Sequence, residues 1–170
     1  MKIGVISDTH DNAKKILEAI KIFNNKSVDL VVHCGDWVSP FLPDFCKDLN
    51  CKIISVYGNN EGDKTRFKQR LAKNNWNIEF NEGIKKLVLG GKRIAVYHGH
   101  DKKLLADLFN AQKYDIVLSG HTHKPVVENI NGVLHINPGT ISGTRESELI
   151  NEYTIAIYET NNNEAEIINL

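Results

Sequence analysis

Net charge is the first thing this sequence lacks. Its 21 Lys and Arg balance 21 Asp and Glu over 170 residues, so no global field draws it to nucleic acid or an anionic membrane. Any attraction for anions must be local. A long apolar run is also missing, since no stretch approaches the roughly 20 residues that span a bilayer as a helix. The first apolar segment, Ile3-Gly4-Val5-Ile6, follows directly on Met1-Lys2 and leaves no room for a secretory leader. Cysteine is scarce and odd in number. Cys34, Cys46 and Cys51 show no C-x-x-C spacing, so the expectation is free thiols in a reducing cytoplasm rather than a disulfide framework. Repeats, linkers and low-complexity segments are absent as well. The 41% hydrophobic and 25% charged content fits a globular chain, and residues 1–170 are expected to form a single domain.

What the chain does have is alternation. Ile3 to Ser7 reads as a strand, and Ile16, Leu17, Ile20 and Phe23 mark one face of a helix that Asp11 or Asn12 could cap. Leu30 to Cys34 is a second apolar run, followed by a segment around Pro40 and Pro43 that leads into a short helix. Lys52 to Tyr57 predicts a third strand and residues 64–73 a helix. Ile84 to Tyr97, broken by Gly90-Gly91, predicts a hairpin. Leu104, Leu105, Leu108 and Phe109 return to helical spacing. Runs at 116–118, 126–127, 133–136 and 153–158 then read as strands, with a turn at Asn161-Asn162-Asn163 before a last one. The pattern implies an α/β domain in which a parallel sheet is extended by an antiparallel one.

The chemistry lies in how these runs end. The first stops at Asp8-Thr9-His10, the second at Gly35-Asp36, and the third at Gly58-Asn59-Asn60-Glu61. The hairpin stops at His98-Gly99-His100, and the run at 116–118 at Gly120-His121-Thr122-His123. Each piece alone is an ordinary turn. Five metal-competent strand ends in one chain are not, because ligands in open α/β sheets bind beyond the carboxyl ends of strands. Imidazole and carboxylate without thiolate disfavour a structural zinc site, and several His disfavour Mg²⁺ or Ca²⁺. Borderline ions such as Mn²⁺, Ni²⁺, Fe²⁺, Zn²⁺ or Co²⁺ remain. Seven candidates (Asp8, His10, Asp36, Asn59, His98, His121 and His123) are too many for one open ion and suit two.

Block by block, these motifs resemble those of the calcineurin-like metallophosphoesterase superfamily. The short length and the Asn137-Pro138-Gly139-Thr140 turn resemble its small archaeal and bacterial phosphodiesterase branch. The resemblance covers essentially the whole chain. It implies a four-layer α/β/β/α sandwich of two mixed sheets flanked by helices. It also implies two divalent metal ions, with Asp8, His10 and His123 on the first, Asn59, His98 and His121 on the second, and Asp36 bridging. By the same resemblance the reaction is attack on a phosphate ester by a hydroxide held between the ions.

The sequence departs from the wider superfamily at one point. Members with Gly-Asn-His and Gly-Asp-x-x-Asp-Arg have a His that protonates the leaving group and an Asp that orients it. Here Asn60 and Gly35-Asp36-Trp37-Val38-Ser39 stand instead. Asn60 can donate to a phosphoryl oxygen but is no general acid, and His100 is the candidate replacement. The expected substrate is therefore a small phosphodiester. Nucleic acid is possible but not indicated, and a nuclease or a catalytically silent metal-binding scaffold, as in the retromer subunit that resembles this fold, are the alternatives. His33 and His135 sit inside apolar runs and read as packed or surface residues. Arg66, Arg70 and Lys73 read as a solvated helix face. Trp37, Phe41, Leu42 and Phe45 could wall the pocket, fill the core, or form a contact in a homo-oligomer.

Overall fold

A computed structural model describes residues 1–145 and 148–170. Its elements are β1 (Lys2–Ile6), α1 (Ala13–Asn25), β2 (Leu30–His33), a 3₁₀ turn (Leu42–Cys46), β3 (Lys52–Val56), α2 (Lys64–Asn74) and β4 (Ile78–Asn81). Then follow β5 (Lys85–Leu89), β6 (Lys92–Val96), α3 (Lys102–Asn110), β7 (Ile116–Leu118), β8 (Pro125–Ile130) and β9 (Val133–Pro138). The chain closes with β10 (Thr144–Arg145), β11 (Glu148–Leu149), β12 (Thr154–Glu159) and β13 (Glu164–Asn169). Among the described residues no helix is long and apolar enough to cross a membrane.

The strands form two large sheets, ordered β13-β12-β1-β2-β3-β4 and β5-β6-β7-β9-β8, with β10 and β11 a separate antiparallel pair. In the first, β1 to β4 are parallel and β12 and β13 are added antiparallel. In the second, β6, β7 and β9 are parallel between antiparallel edges. Strand alternation assigns the layers. Ile3, Val5, Val32 and Ile54 pack against Ile94, Val96, Ile116 and Leu118 between the sheets. Ile6, Val31 and Ile53 face the other way, onto Ile16, Ala19, Ile20 and Phe23 of α1. On the far side, Ala95, Tyr97 and Val117 meet Leu108 and Phe109 of α3. The result is the helix–sheet–sheet–helix sandwich. Both faces of the central strands are covered, which is why they read as continuous apolar runs.

Local signals account for most boundaries. Asn12, rather than Asp11, caps α1 by accepting from Lys15 N, and Asp63 and Asp101 cap α2 and α3. Each such cap stabilises its helix by about 1 kcal/mol. Gly90 and Gly91 both have positive φ, 53° and 77°, as a tight hairpin turn between β5 and β6 requires.

Three features differ from the reading by periodicity. The antiparallel strands do not simply extend the parallel sheet; the β5–β6 hairpin starts a second sheet that stacks on the first. β4 escaped notice because Glu79 and Asn81 dilute its apolar residues at the sheet edge. The strand at 126–127 is longer, Pro125–Ile130, because its outward residues are polar. Trp37 and Leu42 are core residues, Phe45 packs partly against them, and Phe41 is left 48% exposed.

Candidate metal centre

The ends of β1, β2, β3, β6 and β7 lie side by side, and their loops converge. Asp8 N donates to Gly35 O (2.9 Å), His10 N to Asp36 O (3.2 Å) and Gly120 N to His98 O (2.9 Å), so the loops are tied to one another through the backbone. Five of the seven candidates adopt positive φ: Asp8 52°, His10 37°, Asp36 64°, His121 69° and His123 56°. Left-handed backbone at non-glycine residues costs about 1 kcal/mol or more each. Its concentration at one place, held by a buried framework, marks a constellation built for position rather than stability.

Glycine makes the approach possible. A Cβ at Gly58 would lie 2.0 Å from Asp36 Oδ1, and one at Gly120 would lie 1.9 Å from Ser7 Oγ and 2.6 Å from Asp8 Oδ2. The Asn137-Pro138-Gly139-Thr140 turn fastens the same loops. Thr140 Oγ1 donates to Asp8 O, and Asn137 Nδ2 to Gly120 O, both at 2.8 Å.

Two groups of ligand atoms result, each with all atoms within 4.8 Å of one another: Asp8, His10 and His123, and Asp8, Asp36 and His98. Asp8 Oδ1 lies 3.2 Å from His123 Nε2 and 3.8 Å from His10 Nε2. Asp36 Oδ2 lies between His10 Nε2 (3.5 Å) and His98 Nε2 (3.4 Å). Asn59 Oδ1 is 3.0 Å from His98 Nε2, and the His121 ring is 5.2 Å from the His98 ring. All seven candidates are thus brought together, with Asp8 shared by both groups and Asp36 reaching into each. Asn60 joins them, donating from N to Asp36 Oδ1 and from Nδ2 to Asp36 Oδ2, both at 2.8 Å. His100 stands at the exposed edge, its ring 5.7 Å from that of His98.

These residues suit a metal ion on their own chemistry. Among the described residues, Asp8 Oδ1 and His10 Nε2 are buried and have no hydrogen-bond partner, an arrangement that is costly unless a ligand completes it. His98 and His123 each donate Nδ1–H to a backbone carbonyl, of Cys34 (2.8 Å) and Thr144 (2.5 Å). That tautomer turns the Nε2 lone pair toward the carboxylates, as metal-binding imidazoles require.

Charge follows the same logic. Burial would raise the Asp8 carboxyl, but the surrounding imidazoles of His10, His123 and His98 hold it well below the usual carboxylate range. Asp36, despite burial, is lowered by His98 and Asn60. Burial lowers His100 and His121, and His98 pushes them the same way.

Sequence reading missed Glu61 as a functional residue. Its carboxylate accepts from four backbone N–H groups: Asp36 (2.9 Å) and Gly58 (3.1 Å) on Oε1, and Trp37 and Val38 (both 3.1 Å) on Oε2. It pins the loops that carry Asp36 and Asn59. Other predicted residues lie elsewhere. Arg66 pairs with Asp63 and Arg70 with Asp44 on the outside of α2. His135 bridges Ser119 Oγ (2.8 Å) and Glu128 Oε1 (3.2 Å). This row mimics a Ser-His-acid triad, yet Ser119 is 1% exposed and His135 packs on Phe109, so it cross-links β7, β8 and β9 rather than attacking anything.

His33 is fully buried, stacked 3.9 Å from Trp37, and accepts from Gly35 N through Nδ1 at 3.0 Å. Burial, its largest influence, drives its pKa from 6.5 to about 3. The folded protein therefore keeps this ring neutral. The associated stability is complete above the unfolded value and is lost as pH falls from 6.5 toward 3, by up to about 1.4 kcal/mol per pH unit. His33→Asn keeps an acceptor near Gly35 N. Its urea-unfolding free energy is expected to fall less steeply over that range than the wild type's, and parallel slopes would count against this reading.

Buried carboxylates and imidazoles gathered at strand ends of an α/β/β/α sandwich define a metal-dependent hydrolase of phosphate esters. The chain belongs to the calcineurin-like phosphoesterase superfamily, whose domain model matches residues 1–163. It is 40% identical over 143 residues to a phosphodiesterase of Methanocaldococcus jannaschii, covering 84% of this chain and 86% of that one. A solved archaeal phosphodiesterase superposes over 100% of both chains with a TM-score of 0.90 and 37% identity. Vps29 of Entamoeba histolytica, solved with zinc, shares the fold (TM-score 0.71, 99% of both chains) at 18% identity. Divalent metal ions are implied by the fold, and candidate ligands are in place for them.

Proposed function

We propose that residues 1–170 act as one metallophosphoesterase domain that hydrolyses small phosphodiesters. The observation that carries this is the pair of overlapping ligand groups around Asp8 and Asp36, in a chain similar throughout its length to archaeal phosphodiesterases. We assign Asp8, His10 and His123 to one ion, Asn59, His98 and His121 to a second, and Asp36 to both, with Mn²⁺ or Ni²⁺ as the pair. When bound, such ions would lower the pKa of bound water and neutralise charge on phosphoryl oxygens.

The chain's own residues do the rest. Asp8 and Asp36, kept ionised by their imidazole neighbours, balance the added positive charge so that the site remains a mild rather than a strong cation. Asn60 is held against Asp36 by two hydrogen bonds, and its amide can donate to a phosphoryl oxygen but supplies no proton near neutral pH. His100, at the rim, is the group that can give a proton to the departing oxygen. Its pKa is lowered, so its share of the work is small and falls further as pH rises. A site with little protonated acid favours esters whose leaving groups need little help, and we assign it diesters rather than unactivated monoesters. The free thiols of Cys34, Cys46 and Cys51 support a reducing, cytoplasmic setting.

The test is turnover of nitrophenyl diester and monoester by the metal-loaded protein, with the diester expected to react faster. Faster monoester cleavage sinks the assignment. In the same assay His100→Ala should lose about ten times more activity on poor leaving groups than on nitrophenolate, and an equal loss on both would remove His100 as the acid.

A further inference from the structure

Beside the metal centre, sharing Gly58 and His100 with it, is a pocket of about 390 Å³. Small-molecule sites range over about 300–1,000 Å³. Its walls are Tyr57, Tyr97, Leu104 and the His100 ring, and its rim carries Lys64 and Glu82. None of the seven candidate ligands lines it, so it is available to whatever the phosphorus atom carries. We propose that this pocket receives the base of a nucleoside phosphate or nucleoside phosphodiester. The proposal rests on the phosphodiesterase reading, because it needs a phosphoryl group held at Asp8, Asp36 and His98.

Three observations select that class. The first is planarity. Tyr97 and His100 lie 5.3 Å apart, and Tyr57 is fixed in place by stacking on Phe80 at 5.3 Å and 10°. Aromatic walls of this kind suit a flat ring better than a polyol.

The second is an unanswered hydroxyl. Tyr57 is 4% exposed, and among the described residues its OH has no hydrogen-bond partner. A buried hydroxyl left unpaired costs stability and is better explained by a partner that arrives with a ligand. Lys64, with Nζ over the Tyr57 ring 4.9 Å from its centroid, is the side chain that would move to admit it.

The third is the rim. Lys64 Nζ donates to Glu82 at 3.1 Å, which sets a donor and an acceptor next to each other, as the edge of a base does.

Calorimetric titration of the metal-loaded protein tests this with adenosine 5′-monophosphate and methyl phosphate, which present the same phosphoryl group. The adenosine ester is expected to bind at least about 10-fold more tightly. Leu104→Trp, which fills the pocket, should bring the two affinities together while leaving methyl phosphate unchanged. Tyr57→Phe should weaken the adenosine ester about 3- to 10-fold with a melting temperature equal to or above the wild type's, a combination that a purely structural hydroxyl would not give. Equal affinities in the wild type, a preference that survives Leu104→Trp, an unchanged adenosine affinity in Tyr57→Phe, or tighter binding of glycerol 3-phosphate or choline phosphate would each overturn it. Turnover of a nitrophenyl diester on the same samples separates the two ideas. Turnover without adenosine preference strikes the pocket alone, and preference without turnover strikes the phosphodiesterase reading alone.

Discussion

Asp36→Asn is expected to lower metal-dependent phosphodiester turnover by at least about 1000-fold while the protein still folds. Removing a single preorganised electrostatic partner costs an active site about 100- to 1000-fold. Asp36 should reach the top of that range because its role is double. Its Oδ2 faces His10 on one side and His98 on the other, so in the proposed assignment one carboxylate serves both ions. Asparagine keeps the shape but removes the anion proposed to lie between two cations. It also sets an amide against Asn60, which already donates to both Asp36 oxygens, so whichever way the new amide turns, one donor meets another. The fold has less to lose, since the sandwich core lies between and outside the sheets rather than at the strand ends. Turnover, metal stoichiometry and the far-ultraviolet spectrum of the variant measure these effects together. Turnover within tenfold of wild type would remove Asp36 from the centre. A wild-type protein that binds metal and hydrolyses no ester would favour the scaffold reading instead.

How much of this was legible in the sequence depends on what leaves a trace in residue type. Strands covered on both faces are short apolar runs, and a run that stops at glycine beside Asp, Asn or His shows both the strand and its chemistry. β1, β2, β3, β6 and β7, with the side chains at their ends, could therefore be read directly. The stacking of two sheets could not, because periodicity says which face is apolar and not what covers it; family resemblance supplied the sandwich. β4 was illegible for a different reason. As an edge strand it carries Glu79, which pairs with Lys52 and Lys85 in solvent, and so it lacks the apolar run that marks its neighbours. His33 and His135 show the limit from the other side. Their place inside apolar runs reads as packed or surface, and their surroundings bear that out, but the particular partners, Trp37 for one and Ser119 with Glu128 for the other, leave no trace in residue type. Tyr57 left no signal at all, since nothing in its type tells a buried phenol with a partner from one without.

Glu61 belongs to that illegible class, and Glu61→Gln is expected to be far less conservative than it looks. The wild-type carboxylate offers only acceptors, two on each oxygen, to four backbone N–H groups. A glutamine must turn an NH₂ toward two of them, either Asp36 and Gly58 or Trp37 and Val38. Two buried donors then face a donor, at about 1–3 kcal/mol for each group left unpaired. Val38 makes the Trp37–Val38 side the more fragile, because it is a β-branched residue at φ 76°, a conformation that persists only where neighbours over-determine it. Its carbonyl is held in turn by Gly62 N at 2.9 Å. A loss of about 3 kcal/mol corresponds to a fall of about 10 °C in melting temperature for a chain of this size. Activity should fall further than stability requires, by about 100-fold at temperatures where the variant is fully folded. The same carboxylate fixes the backbone of Asp36 and of Gly58, and displacing either loop separates Asp36 from Asn59 and His98. Melting curves read the first effect, and turnover measured well below the transition reads the second. A variant that melts within 2 °C of wild type with full turnover would show that the four N–H groups find other partners and that Glu61 does not position the centre.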